Sequence, residues 1–230
     1  MNGTEKELNT FIQNFRKEYD DFKKSLHPYQ KSSDLEHLNE TYKQKVLKWL
    51  LEADYRGHNK AAYRLASIYY DSYQKYSDRD TLNTAMKWYD ISHNQRNYKG
   101  AYELGIIYHD MYKIHKSSFN KLDGTYLKRA LSVFKKAHHQ GHNQATFMVG
   151  TIYEEMYLHN YNFSYIKEAL QWYKKAHDQG DNQATFKIGE IYASLYIKKY
   201  DTNYFKHAVL WFEKSLDQGS SSAAFELGNL

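Results

Sequence analysis

Histidine and carboxylate side chains are the places where this chain could do chemistry. His138, His139 and His142, in the stretch HHQGH, form its densest cluster of metal-ligand residue types. A metal site needs ligands that converge at fixed spacing, usually with Cys or carboxylate partners and a supporting shell of hydrogen bonds. These three straddle Gly141, and the corresponding stretches further along carry His177/Asp178 and Leu216/Asp217. They read as a solvated turn between helices, with no metal. Glu154 and Glu155 are the obvious paired carboxylates. Adjacent helix positions diverge by about 100°, so the two do not converge as a general acid and base would. The chain has no glycine-rich phosphate loop, nucleophile elbow or H-E-x-x-H motif. The expectation is a non-enzymatic protein that needs no cofactor.

What positions these residues is an internal repeat. Counting from Trp49, Trp88, Val133, Trp172 and Trp211, successive anchors lie 39, 45, 39 and 39 residues apart. Eight positions after the anchor stand Gly57, Arg96, Gly141, Gly180 and Gly219. Twelve after it stand Ala61, Gly100, Ala145, Ala184 and Ala223; seventeen after it, Ala66, Gly105, Gly150, Gly189 and Gly228. Tyrosines recur at positions 20 and 24, as Tyr69/Tyr73, Tyr108/Tyr112, Tyr153/Tyr157 and Tyr192/Tyr196. A period of this length marks stacked supersecondary units, each burying its apolar face on the next. The strict recurrence of the tyrosines assigns them to core layers and not to a stacking platform for bases or sugars.

Each unit reads as two helices. Ile166, Ala169, Tyr173 and Ala176 recur at three- and four-residue steps and put one apolar stripe on helix B. A glycine then suits the helix end, because it adopts positive φ without a Cβ clash. Helix A follows with two stripes, one of Ala184, Ile188, Ile191 and Leu195, the other of Thr185, Gly189, Tyr192 and Tyr196. Two stripes imply burial on two sides. A mid-helix glycine costs about 1 kcal/mol against alanine, so its recurrence points to close approach of a neighbouring backbone or a tyrosine ring.

Residues 4–25 form a separate amphipathic pattern, with Leu8, Phe11, Phe15, Tyr19 and Phe22 on one stripe and Thr4 with Glu7 as a capping box. Pro28, the sole proline, breaks the chain. Residues 1–45 read as an N-terminal helical cap and 46–230 as about four repeats, the last incomplete. In that last repeat Trp211, Phe212 and Leu216 are followed only by the short run to Ala223, Leu227, Gly228 and Leu230. The expectation is an exposed apolar edge covered by a second copy, by a partner or by further residues.

Composition narrows the class. Hydrophobic content of 41% with 17% aromatic residues supports a core, while one Pro and 11 Gly leave little room for a turn-rich β fold. Cysteine is absent, so no disulfide framework exists. The N-terminal residues lack a signal-peptide pattern and no stretch reaches 18 apolar residues, which makes a cytoplasmic protein without a membrane span the expectation. Asn2, Asn39 and Asn162 open formal glycosylation sequons, read as coincidental. The +5 charge comes from 32 basic and 27 acidic residues interleaved along the chain. A nucleic-acid binder concentrates its basic residues on one face.

The helical columns resemble the SEL-like repeats, relatives of the tetratricopeptide repeats. The family pattern A-x-x-x-L-G-x-x-Y appears as Ala101, Leu104, Gly105 and Tyr108, and again as Ala184, Ile188, Gly189 and Tyr192. The second half, K-A-x-x-W-Y-x-x-A-A-x-x-G, appears as Ala169, Trp172, Tyr173, Ala176 and Gly180. The similarity covers roughly 46–230. It departs between helices A and B, where the family's G-x-G-V-x-x-D loop is replaced by stretches such as Tyr196–Asp201, and where the 116–126 loop carries the six extra residues of the long repeat. The resemblance implies an all-α, right-handed α/α solenoid that serves as an adaptor for protein or peptide partners. Bacterial relatives look like host-interaction factors or inhibitors of secreted toxins, and an immunity-type inhibitor is the alternative reading. The Asn-, Lys-, Tyr- and Ile-rich composition suits a bacterial source.

Such a groove would use the variable positions 15, 18 and 22 of helix A. They are Arg64, Ser67 and Asp71; Glu103, Ile106 and Asp110; Met148, Thr151 and Glu155; Lys187, Glu190 and Ser194. Their spacing gives one face per helix. Acidic residues hold the last column in three successive repeats, an inner ladder that would accept a partner segment with basic side chains.

Overall fold

A computed structural model describes residues 45–58, 60–119 and 124–230. Among them the regular structure is helix alone: α1 (45–55), α2 (Ala61–Tyr76), α3 (Arg79–Asn94), α4 (Tyr98–Phe119), α5 (Thr125–His139), α6 (Asn143–Asn160), α7 (Phe163–Asp178), α8 (Asn182–Lys199), α9 (Thr202–Asp217) and α10 (Ser221–Asn229). The chain divides into two compact units, Met1–Trp88 and Tyr89–Leu230. The N-terminal cap and the Thr4–Glu7 box lie outside the described residues.

In the second unit α4, α6 and α8 are helices A, and α5, α7 and α9 are helices B. Each A packs on the B that follows it, and each B on the next A. Ala130, Phe134, Ala137, Val149, Tyr173 and Ile188 belong to one continuous buried core running through α8. In the first unit Ala61, Ala62, Leu65 and Ala66 of α2 are buried, as are Leu82 and Ala85.

The turns from B to A follow the glycine column. Gly57, Gly141, Gly180 and Gly219 have φ between 82° and 94°, and Arg96 takes the same left-handed region at 61°. The next residue's N–H returns to the last turn of helix, as from His142 to the Ala137 carbonyl (3.0 Å) and from Asp181 to that of Ala176 (3.0 Å). This arrangement satisfies carbonyls that a helix end otherwise leaves bare. Connections from A to B are shorter than the sequence suggests. Ser77, Tyr161 and Tyr200 each stop a helix A in the left-handed region. The following Asp78, Asn162 and Asp201 accept backbone N–H bonds at the start of helix B. The stretch Tyr196–Asp201 is therefore mostly helix and a two-residue corner. The sequon residue Asn162 is such an N-cap.

The long repeat is resolved differently from the expectation of a loop across 116–126. Helix α4 has 22 residues against 18 in α6 and α8, and it runs to Phe119. Part of the insertion extends the helix, because Ile114–Phe119 contains neither proline nor glycine to stop it.

The mid-helix glycine meets an aromatic ring. A Cβ on Gly105 would lie 2.6 Å from the Phe134 ring, one on Gly150 2.7 Å from Tyr173, and one on Gly189 2.6 Å from Phe212. All three rings are fully buried. Burying such a ring yields about 1.5–3 kcal/mol, which outweighs the glycine's cost of about 1 kcal/mol. The last copy differs: nothing lies within 4 Å of Gly228, and Phe225 is 68% exposed. Of the three residues expected on an exposed edge, Leu216 is 43% exposed whereas Trp211 and Phe212 are buried. The preceding helices already accommodate them, Phe212 against Gly189 and Trp211 edge-on to His177.

Two alanine substitutions separate packing from helix propensity. Gly150→Ala should destabilise by about 1–3 kcal/mol, since overpacking against an immobile ring exceeds the propensity gain. Gly228→Ala should be neutral or stabilising by up to about 1 kcal/mol. Denaturant unfolding of both variants checks this; equal effects of the same sign would refute the ring-seat assignment.

Candidate partner-binding face

The outward side of α6 and α8 is where the second unit offers a recess. Helix A buries its small and aliphatic stripe against the two flanking helices B, leaving positions 15, 18 and 22 at the rim of the core. On α2 of the first unit, Arg64 and Asp71 are exposed and Ser67 half-buried. On α4, Glu103, Ile106 and Asp110 are half-buried. Ile106 leans on the core. Asp110 pairs with Lys113 at 3.7 Å. Burial alone pushes the Glu103 carboxyl above the usual carboxylate range.

On α6, Met148 also leans on the core. The Thr151 hydroxyl donates to the Phe147 carbonyl (3.3 Å) and lies 3.2 Å from the Tyr173 hydroxyl, whose single proton goes to Glu154. Glu155 is engaged: its Oε2 lies 2.8 Å from Nε2 of His109, whose side chain is 4% exposed. Of the expected acidic ladder, Asp110 and Glu155 thus already have partners within the protein. On α8, Lys187 and Glu190 form an ion pair at 2.7 Å, and Ser194 is exposed.

Two recesses flank Lys187. One of about 180 Å³ lies between α6 and α8, lined by Glu154, Leu158, Glu190, Ser194, Leu195 and Lys198 among others. The second, about 460 Å³, opens where α8 begins, between Phe147, Asn182, Gln183, Phe186 and the Gln218–Ser222 turn. Lys187 borders both. Together they make a strip along α8 that is amide-rich and aromatic at one end and charged at the other.

The sequence reading missed Glu154, Gln183 and Phe186. A signal for Phe186 exists: Tyr102, Phe147, Phe186 and Phe225 recur fourteen positions after the anchor. Glu154 and Glu155 do diverge. Glu154 accepts from the Tyr173 hydroxyl (2.7 Å), whereas Glu155 turns to His109. Burial raises the Glu154 carboxyl above its ordinary value, with Lys187 and the Tyr173 bond pulling the other way.

The histidine turn is solvated only in part: His139 and Gly141 are exposed, whereas His138 and His142 pack against neighbours. His138 Nδ1 sits 2.8 Å from the Thr146 hydroxyl, and its ring meets Trp172 edge-on at 5.0 Å. His177, Thr185 and Trp211 repeat the arrangement at 2.8 and 5.0 Å. His142 stacks on Tyr102 with ring centres 4.1 Å apart. The imidazoles are packing elements: His138 and His177 are each oriented by one bond, and His142 by its stack on Tyr102. Among the described residues no three His, Cys, Asp or Glu side chains group as a metal site, and no helix is long and apolar enough to cross a membrane.

No protein-family model and no curated protein matches the chain. Solved structures do. One is a protective antigen of uropathogenic Escherichia coli strains, described as displaying an SLR fold, with 24% identity and a TM-score of 0.53 over 80% of this chain. This chain spans 35% of that protein's length. A Sel1 repeat protein from Oxalobacter formigenes aligns over 80% of this chain and 67% of its own, with 20% identity and a TM-score of 0.49.

The chain has the SEL-like repeat fold. Within that fold its histidines give a titration test. His93, His138 and His142 are held below the ordinary imidazole value, by burial first, with neighbouring positive charges adding to it. The folded SEL-like repeats therefore keep these rings neutral while the unfolded chain takes up protons first. Their contribution is complete above the unfolded value of about 6.5 and is lost as pH falls through the folded values. Glu103 and Glu154, raised by burial, act oppositely: their contribution is present at low pH and lost as pH rises through their folded values. A variant carrying His138→Gln and His142→Gln should lose less stability than wild type between pH 7.5 and 5.5. Denaturant midpoints against pH check this; identical pH profiles would refute it.

Proposed function

We propose that this protein is a non-enzymatic scaffold that holds a segment of a protein partner against the helix-A face, centred on α8. The observation that carries this reading is the pair of recesses that share Lys187. They line one side of a helix of 18 residues, about 27 Å at 1.5 Å per residue. An extended segment of about eight residues spans that length. Gln183 and Asn182 supply amides able to pair with a peptide backbone, and Phe147 and Phe186 supply apolar surface. A segment carrying basic side chains suits the end that presents Glu154 and Glu190. The remaining members of the face within the second unit, Glu103, Ile106, Asp110, Met148 and Thr151, are proposed as secondary contacts. Glu155 is assigned to the internal pair with His109.

The fold, in which stacked helix pairs present repeated surfaces, supports the scaffold reading. Affinity capture from lysate of the source organism, read by mass spectrometry, identifies the partner. Gln183→Glu, Lys187→Glu and Glu190→Lys together should then weaken its binding at least tenfold with helical content unchanged. Gln171→Glu, Lys174→Glu and Asp178→Lys, on the exposed side of α7, should leave binding intact. The reverse pattern would move the interface to the helix-B side and refute the proposal.

A further inference from the structure

The two A-to-A steps of the second unit treat the same pair of positions differently. From α4 to α6, position 21 of one repeat meets position 22 of the next, as His109 against Glu155, Nε2 to Oε2 at 2.8 Å. A basic ring fills the space and the acid is satisfied. From α6 to α8 the same positions are Glu154 and Ser194. Serine is short and uncharged, and here the recess of about 180 Å³ lies, bordered by both residues. Where one step has acid and base, the next has an acid and an opening.

The charges around that opening are mostly committed. Lys187 is held by Glu190 at 2.7 Å, and Lys198 donates to the Tyr157 hydroxyl at 3.1 Å beneath its ring. Glu155 faces His109. Glu154 accepts a bond from the Tyr173 hydroxyl on Oε2, and Lys187, whose ion pair is with Glu190, acts on it from a distance. Leu158, Ile191 and Leu195 give the recess apolar walls. Its volume is below the 300–1,000 Å³ typical of small-molecule sites and matches a single side chain.

We propose that this recess binds one lysine or arginine side chain of the partner segment, its stem on the apolar walls and its cationic head on Glu154, in the space that the Glu155 side chain fills one repeat earlier and that Ser194 leaves open. The inference rests on the scaffold reading above and sharpens it to one contact. The buried carboxyl gains the counter-ion that desolvation makes valuable. Glu154 is the specificity-determining residue, Tyr173 positions its carboxylate, and Ser194 provides the room.

The test uses the full chain and two peptides, acetyl-Ala-Arg-Ala-amide and the same peptide with norleucine, followed by the amide NMR shifts of residues 154, 190 and 194. The arginine peptide should bind at least tenfold more tightly, the scale of one charge-assisted hydrogen bond. Glu154→Gln, which keeps an acceptor for Tyr173, should erase that difference. Ser194→Arg should fill the recess from within, abolish arginine-peptide binding and raise the melting midpoint relative to Ser194→Met. Equal binding of the two peptides by wild type overturns the proposal, as does a preference that survives Glu154→Gln. Should Glu154→Gln lose helical content, Ser194→Arg decides: undiminished peptide binding overturns the proposal. Retained partner capture alongside equal peptide binding would refute this contact alone. A partner indifferent to substitutions on the α8 face would refute the scaffold reading.

Discussion

The seat of an aromatic ring on a glycine is the contact on which the second unit depends. Helices A and B approach closely enough for Phe134, Tyr173 and Phe212 to lie against the bare Cα of Gly105, Gly150 and Gly189. Any side chain there would force the pair apart, because a fully buried ring has no free rotamer to move into. Once the pair is closed, the small residues follow: Ala130, Ala137, Ala145, Ala169, Ala176 and Ala184 are all fully buried at its seams. Position 14 completes the seat, with Tyr102, Phe147 and Phe186 packed 5.3–5.7 Å from the same rings.

A second tier of contacts fixes how one pair meets the next. Trp172 and Trp211 receive the edge of His138 and His177 from the preceding repeat, and Lys175 and Lys214 lie 4.3 Å above the same indoles. The threonine that orients each imidazole stands thirteen positions after its anchor, as Thr146 and Thr185. Where that position is Ala101, His93 lacks the hydroxyl, and where it is Ala224 the histidine is replaced by Leu216. The imidazole–hydroxyl pair is complete in two repeats; His93 keeps the ring without the hydroxyl, and its Nδ1 is left buried without a hydrogen-bond partner.

Repetition also separates positions the packing needs from positions free to vary, because a structural position repeats and a rim position need not. The +21/+22 positions are an acid and a base between α4 and α6 but an acid and a serine between α6 and α8. The core columns keep their apolar or small character across these steps, whereas at the rim the charge itself changes.

By itself the sequence determined the helices, their pairing and the turns. Periodicity of apolar residues is a local property, and so is the need for glycine at positive φ; both are written in Gly141, Gly180 and the alanine columns. The mid-helix glycine disclosed a close approach but not its partner. That the ring comes from the first residue after the anchor of helix B required the tertiary structure. That Lys187, Glu190 and Ser194 share one stripe of α8 was legible from spacing alone. Glu154 was not legible, because whether an acid on a neighbouring helix points to a histidine, a tyrosine or an opening depends on which side chain the next repeat brings opposite it. Likewise the histidine turn looked solvated in sequence, since the Thr146 and Trp172 that enclose His138 lie eight and 34 residues away. Local geometry follows from nearest neighbours along the chain; burial, charge pairing and cavities follow from neighbours in space, and only the packed repeats decide those.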